Sequence, residues 1–381
     1  MDFQLREEQQ QFADALRRWA DKDYGHDTRR QIIHSAAGVS DAAWQTLVEL
    51  GMTALPVPEQ HGGFSGGAVD LWVVMQELGR ALVVEPYFAT VWGAEFLRLA
   101  GNQGDLLEQV ASGELKLACA LGERHSRYDL HDVRTSFQRH ADGYRLNGEK
   151  SVVIHGAQAG ALIVSARDSR GEDSTGADGL ALFVVAADTP GLMRHDARTI
   201  DGQRAATVLL SELQLPASAL LAQGSAALAL LDQAADYGVT LLCAEAVGAM
   251  DALFAATLDY LKTRKQFGTP IGSFQALQHR MADMYIHLEQ ARSMAMLAAA
   301  RQDGADAAQR RRAVSAAKVR IGQAAKFIGQ QAVQLHGGMG VTDELQAAHL
   351  FKRLTMIDLT LGDVEHHLQR FAAQPAFAEH A

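Results

Sequence analysis

Between about Ser225 and Thr263 the chain carries no proline, and Leu228, Leu231, Ala235, Val239, Leu242, Ala246, Ala249, Leu253 and Tyr260 recur at helical steps. A single helix over that stretch extends roughly 55–60 Å at ~1.5 Å per residue. A helix so long and so apolar cannot stand alone in water, so it needs partner helices around it. The segments Ala282 to Ala300 and Ala313 to Leu335 have the same period and supply two of them. A four-helix bundle with contacts between subunits is the expected way to bury this stripe.

The rest of the chain divides by periodicity. Residues 1–114 read as helical, for instance Asp41 to Leu50 and Val69 to Val83, with Pro56, Pro58 and Gly62-Gly63 as breaks. Phe3, Leu5, Phe12, Leu16 and Trp19 mark an amphipathic helix at the start of the sequence, not a targeting peptide. Residues 115–223 change to short β-rich segments: Leu115 to Leu121, Val133 to His140, Tyr144 to Leu146, Ser151 to Ile154, Ala161 to Ala166, Leu180 to Val185 and Ala206 to Leu213. Asp142-Gly143 and Asn147-Gly148 read as hairpin turns between them. The polar run Arg167 to Gly179 reads as a surface loop. Residues 224–381 are helical again. The expectation is an α+β chain: an N-terminal helical domain (1–114), a small β-barrel (115–223) and a C-terminal bundle (224–381).

Composition narrows the function. A net charge of −10 argues against nucleic acid, which requires a basic face to displace counterions. The two cysteines, Cys119 and Cys243, sit in apolar surroundings and offer neither a disulfide framework nor metal spacing. His366-His367 and His349 lack zinc spacing and read as surface or subunit contacts. No metal site and no membrane segment are expected, and a cytoplasmic location follows.

Two C-terminal segments carry chemistry. Arg264-Lys-Gln-Phe-Gly268 places a rigid fork of donors just after the long helix, suited to bidentate contact with a pyrophosphate. Gln334-Leu-His-Gly-Gly338 ends another helix in two glycines that let a backbone come close to a ligand. Taken singly, each has a plainer explanation: a basic residue complementing a helix C-terminus, and a glycine C-cap.

Together these segments resemble the two flavin-contact motifs of the acyl-CoA dehydrogenase family. Pro56-Val-Pro-Glu-Gln-His-Gly-Gly63 resembles that family's N-terminal loop, and Tyr144-Arg-Leu-Asn-Gly-Glu-Lys150 its hairpin toward the flavin-facing strand. Leu261 to Gly268 and Phe351-Lys-Arg-Leu-Thr-Met-Ile-Asp358 are similar to its small-subunit branch, which includes the small subunit of pimeloyl-CoA dehydrogenase and the paired-subunit steroid side-chain enzymes. The resemblance implies FAD as cofactor, an acyl-CoA substrate and electron transfer flavoprotein as acceptor. It implies that Arg264, Gln266 and Phe267 reach the FAD of a neighbouring subunit, joined by Gln334, Gly337 and Gly338. Ile154 falls on the strand that faces the flavin.

The resemblance also exposes departures. The family's catalytic glutamate matches Leu361, in Thr360-Leu-Gly-Asp363. The alternative base position on the long helix matches Gly238, and the flavin-facing Trp-Ile-Thr is replaced by Val152-Val153-Ile154. Gly122-Glu-Arg-His-Ser-Arg-Tyr-Asp129 stands where the family has its flavin-edge loop. A relocated base leaves Glu245 or Asp236 as candidates, with a structural ion pair the competing role for Glu245. Asp363 and Glu365 read as charges favourable to a helix N-terminus. Three readings follow: a subunit completing the FAD site of a larger paralogous chain in a heterotetramer, an active homo-oligomer using Glu245 or Asp236, or a flavin-free assembly protein.

Overall fold

The computed structural model describes residues 5–169 and 179–374. Phe3 and most of the polar run 167–179 lie outside the described residues. Helices α1 (Glu7–Asp23), α2 (His26–His34), α3 (Asp41–Glu49), α4 (Ala68–Ala81), α5 (Tyr87–Ala100) and α6 (Gly104–Ala111) come first. Strands β1 (Leu117–Ala120), β2 (Ser136–His140), β3 (Gly143–Ile154), β4 (Ala161–Asp168), β5 (Leu180–Ala186), β6 (Leu192–Arg198), β7 (Arg204–Pro216) and β8 (Leu220–Gln223) follow. Then come α7 (Ser225–Thr263), a two-strand ribbon β9 (Lys265–Gln266) and β10 (Thr269–Pro270), α8 (Gln275–Gln302), α9 (Ala307–His336), α10 (Gln346–Leu359) and α11 (Val364–Ala372).

The chain forms two compact units that do not follow chain order. One comprises Met1–Gln31, Gly67–Val83 and Val239–Ala381, the other Ile32–Gly66 and Val84–Gly238. Helix α4 therefore belongs with the C-terminal helices. The cause is a close helix crossing. A Cβ on Gly79 of α4 would lie 2.1 Å from the Glu245 carbonyl of α7, and one on Gly248 of α7 would lie 1.8 Å from the Gln76 carbonyl. Only glycine at both positions lets the two backbones touch.

In this helical unit Met284, Leu288, Ala291, Ala295 and Ala298 of α8 are buried, as are Ile321, Ala324, Ile328 and Ala332 of α9. Asp306 caps α9, accepting from the backbone N–H groups of Ala308 (2.9 Å) and Gln309 (3.0 Å). By length and composition alone α7 could cross a bilayer, but 72% of its most apolar window is buried inside the chain, as in a core helix.

The other unit is built on a mixed eight-stranded sheet in the order β6-β7-β3-β2-β4-β5-β8, with β1 beside β4. Tyr144 on β3 and Phe183 on β5 have ring centroids 5.0 Å apart, and Phe137 on β2 lies 5.9 and 5.3 Å from them. On a flat sheet β3 and β5 would be three strand spacings apart, about 14 Å. The sheet therefore curls around its own apolar core, as the expected small barrel requires. Helix α5 lies against β1, where the Leu117 N–H donates to Thr90 Oγ1 at 3.2 Å.

Several details differ from the sequence reading: Tyr144 to Leu146 and Ser151 to Ile154 are one strand, β3, and β8 and the β9–β10 ribbon carry no pattern that marks them. Asn147-Gly148 is not a hairpin turn. It lies inside β3, where the register against β7 shifts between Leu146 and Gly148. Asn147 bonds to Glu212 of β7 through both its amide nitrogen (2.6 Å) and its oxygen (2.8 Å), and a Cβ on Gly148 would meet Thr135 Oγ1 at 2.6 Å. The dipeptide serves a bulge. Strand β6 went unpredicted because it is largely exposed and polar, so no alternation marks it.

Candidate active site

The Arg264 segment forms a tight projecting ribbon. The Arg264 N–H closes the last turn of α7 on the Tyr260 carbonyl (2.9 Å), and the Ile271 N–H returns to the Arg264 carbonyl (2.9 Å). Between β9 and β10, Phe267 and Gly268 both take left-handed backbone angles, with φ of 56° and 78°. Such a turn holds the Phe267 ring out, 91% exposed, its centroid 6.2 Å from that of Phe274. Arg264 and Gln266 are exposed as well.

The second segment ends α9. Gly337 has a φ of 62°, and a Cβ added at Gly337 or Gly338 would meet nothing within 4 Å. Gln334 is exposed on the last turn. The two segments are tied together by Tyr260 of α7 stacking against His336 of α9, with ring centroids 4.6 Å apart. Open backbone, amides and a guanidinium on neighbouring helix ends make a donor set that fits a diphosphate.

Leu361 sits in a turn held from two sides. Its φ is 57°, uncommon for a residue with a Cβ. Its carbonyl accepts from His367 Nε2 at 2.9 Å, and burial with Lys318 nearby pushes that imidazole down to about 3. The Lys318 ammonium donates to the carbonyls of Ile357 (2.9 Å), Asp358 (2.9 Å), Thr360 (3.0 Å) and Gly362 (2.6 Å). Asp363 caps α11 by accepting from the His366 N–H at 2.9 Å.

Of the proposed relocated bases, Glu245 is clamped. Its two carboxylate oxygens accept from Nε and Nη2 of Arg353 at 2.6 and 2.7 Å, and both residues are buried. A permanently charged guanidinium thus occupies both oxygens of this carboxylate. Asp236 is 1% exposed on α7 and is not a free carboxylate.

In the sheet unit, a bulge between Lys150 and Val153 throws Val152 outward, with a φ of 53° and 67% exposure. Val153 joins the core, and Ile154 packs half-buried against it. Below the bulge Lys150 is fully buried and donates to Glu123 Oε1 (2.7 Å), Ser165 Oγ (2.9 Å) and the Leu121 carbonyl (3.3 Å). Glu123 also accepts from the backbone N–H groups of Arg134 (2.9 Å) and Thr135 (3.0 Å). Burial alone would raise its pKa, but the Lys150 charge and these bonds hold it below the usual value.

His349 and His367 correct the sequence reading, because neither is a surface residue. His349 is 2% exposed, its Nδ1 accepting from Arg29 at 3.1 Å and its Nε2 donating to the Asp343 carbonyl at 2.9 Å. Sequence reasoning also passed over Lys318 and Arg353. A lysine amid the alanines of Ala316-Ala317-Lys318 was the available signal for the first.

Three family profiles account for almost all of the chain: the acyl-CoA dehydrogenase N-terminal domain over residues 6–114, the middle domain over 118–216 and the C-terminal domain over 228–374. The chain belongs to the acyl-CoA dehydrogenase family. It is 31% identical over 354 residues to acyl-CoA dehydrogenase FadE12 of Mycobacterium tuberculosis, covering 90% of this chain and 89% of that one. It is 29% identical to the probable acyl-CoA dehydrogenase YngJ of Bacillus subtilis, covering 96% and 97%. Among solved structures, the ChsE4-ChsE5 complex from Mycobacterium tuberculosis superposes with a TM-score of 0.88 at 25% identity, covering 99% of each chain. A variant of the Tcur3481-Tcur3483 steroid acyl-CoA dehydrogenase does so with a TM-score of 0.88 at 29% identity, covering 98% and 99%. This acyl-CoA dehydrogenase is thus a flavin-dependent oxidoreductase with FAD as its cofactor.

Proposed function

We propose that this chain is the smaller subunit of a heteromeric acyl-CoA dehydrogenase and completes the FAD site of a larger paralogous chain. The turn at Leu361 carries this reading. Its backbone is held in a left-handed conformation by His367 and Lys318, yet the side chain presented there is aliphatic. α,β-Dehydrogenation of an acyl thioester needs a carboxylate to take the α proton, while FAD supplies the hydride acceptor. Leu361 cannot take a proton, although its backbone N–H can donate to the thioester oxygen. Glu245 is held by Arg353 and Asp236 is buried and engaged, so neither offers a ready replacement.

The diphosphate-binding side of the site is kept. Arg264, Gln266 and Gln334 offer donors, Gly337 and Gly338 offer open backbone, and Phe267 offers a ring awaiting cover. Groups that project in this way suit a neighbour's cofactor in a tetramer. Ile154 and Val152 line this chain's own flavin-facing strand. Two similar structures are named as pairs, ChsE4-ChsE5 and Tcur3481-Tcur3483, which supports a paired assembly here. Electron transfer flavoprotein is the proposed acceptor.

The deciding experiment is FAD content per chain, with oligomeric mass taken on the same sample. The protein expressed alone should hold little FAD, and co-expression with a larger paralogue should restore it to about half of the chains. One FAD per chain in the protein alone would instead favour an active homo-oligomer and return attention to Glu245 and Asp236.

A further inference from the structure

Lys318 lies on α9 and is 0% exposed. An ammonium has three N–H groups, yet Nζ stands 2.6–3.0 Å from four carbonyl oxygens, those of Ile357, Asp358, Thr360 and Gly362. These are the last carbonyls of α10 and of the turn that follows; of the four, that of Ile357 also accepts from the Thr360 N–H at 3.2 Å. No carboxylate oxygen is among the atoms it bonds. The ionisable groups facing it are the Cys243 thiol of α7, Asp358 of α10, Asp363 at the cap of α11 and His367 of α11. Burial pushes Cys243 up to about 12 and His367 down to about 3, so both are neutral near pH 7.

A second feature shows that the approach is built in. One turn along α9, a Cβ on Gly322 would lie 2.2 Å from Asp358 Oδ1 and 2.5 Å from Val364. Helix α9 thus needs glycine there to press against both ends of the Leu361 turn. Between these ends, Leu361 holds a φ of 57°, and its own carbonyl is tied to His367. A left-handed leucine persists only where its surroundings over-determine it.

We propose that Lys318 is a positioning residue: by gathering the carbonyls on either side of Leu361 it fixes the turn that aims the Leu361 N–H at the acyl thioester. The proposal rests on reading that N–H as the thioester contact. Lys318 touches neither substrate nor cofactor and acts through the turn. A residue that only filled space could be replaced by methionine without local effect. A clamp could not, because the carbonyls of Asp358, Thr360 and Gly362 would lose the ammonium they share.

The test is amide hydrogen exchange of the 357–364 peptide, in the enzyme as assembled with any partner chain, for wild type, Lys318→Met and Lys318→Arg. Affinity for hexanoyl-CoA is measured on the same samples. With the fold retained by circular dichroism, Lys318→Met should speed exchange in this peptide about tenfold or more, and Lys318→Arg, which keeps the donors, should recover part of it. Hexanoyl-CoA binding should weaken in parallel. Opening the turn alone leaves Lys318 buried without its carbonyl acceptors, so the closed turn favours the ammonium. Because burial holds the Lys318 pKa down to about 8, wild-type exchange in this peptide, corrected for its intrinsic pH dependence, should rise as pH passes that value, opposite in sign to global stability, which gains from releasing a buried charge. This wild-type measurement stands if the methionine variant fails to fold. Unchanged exchange in Lys318→Met, or a flat wild-type profile, would overturn the clamp. Faster exchange with unchanged hexanoyl-CoA affinity would support the clamp and sink the reading of the turn as the thioester contact.

Discussion

Each unit of this protein buries one lysine completely, and the two are stabilised in different ways. Lys150, under the sheet bulge, faces the carboxylate of Glu123, which two backbone N–H groups also hold. Lys318, in the helical unit, faces four carbonyl dipoles and bonds to no carboxylate. Burial pulls both down to about 8. The difference lies in what is left behind when the lysine loses its proton or is removed. In the sheet unit a buried negative charge remains, and in the helical unit only carbonyls do. A buried charge is the more costly orphan.

The largest expected effect tests that asymmetry. Glu123→Gln leaves the Lys150 charge without its counterion and should cost about 3–5 kcal/mol in denaturant titrations. Adding Lys150→Met removes both charges, and the double variant should regain most of that loss. A double variant no more stable than the single one would mean that the two residues do not act as a pair.

The pH dependence of stability sharpens the comparison. For Lys318 the folded value of about 8 lies below the ordinary lysine value of 10.5, so the unfolded chain binds more protons between them. Stability from this group should therefore rise as pH climbs from about 8 to 10.5, and Lys318→Met should abolish that part of the slope. On the acid side the lowered pKa of Glu123 gives stability that is present above the ordinary carboxylate value of 4.5 and is lost as pH falls through the folded value. Glu123→Gln should flatten that limb of the profile. The smallest effect is expected from Ser165→Ala, which removes one of three acceptors around Lys150 and should cost about 0.5–1.5 kcal/mol in thermal or denaturant unfolding.

Much of the fold was legible because periodicity reports burial. The stripe from Leu228 to Tyr260 announced α7, and the strands with a buried face, such as Ala161 to Ala166 and Leu180 to Val185, announced themselves in the same way. Elements set by partners rather than by pattern were not legible. Asn147-Gly148 reads as a turn but serves a bulge, because Glu212 of β7 and Thr135, just before β2, meet it. The Arg264 and Gln334 segments could be found because each is contiguous. Arg353 could not be joined to Glu245, nor Lys318 to Leu361, because those contacts cross between helices far apart in sequence.

Local sequence alone carries the α–β–α order of elements, the helices that must pack together, the donors on the Arg264 and Gln334 segments and the leucine at position 361. Which charged groups are committed depends on the packing of the folded chain. That packing places Arg353 on Glu245, the Lys318 ammonium on the carbonyls around Leu361, and α4 with the C-terminal helices through Gly79 and Gly248. The two differ in range. Hydrophobic period and turn chemistry act between near neighbours in the chain, whereas the partner of a buried charge is chosen by whichever helices pack against it.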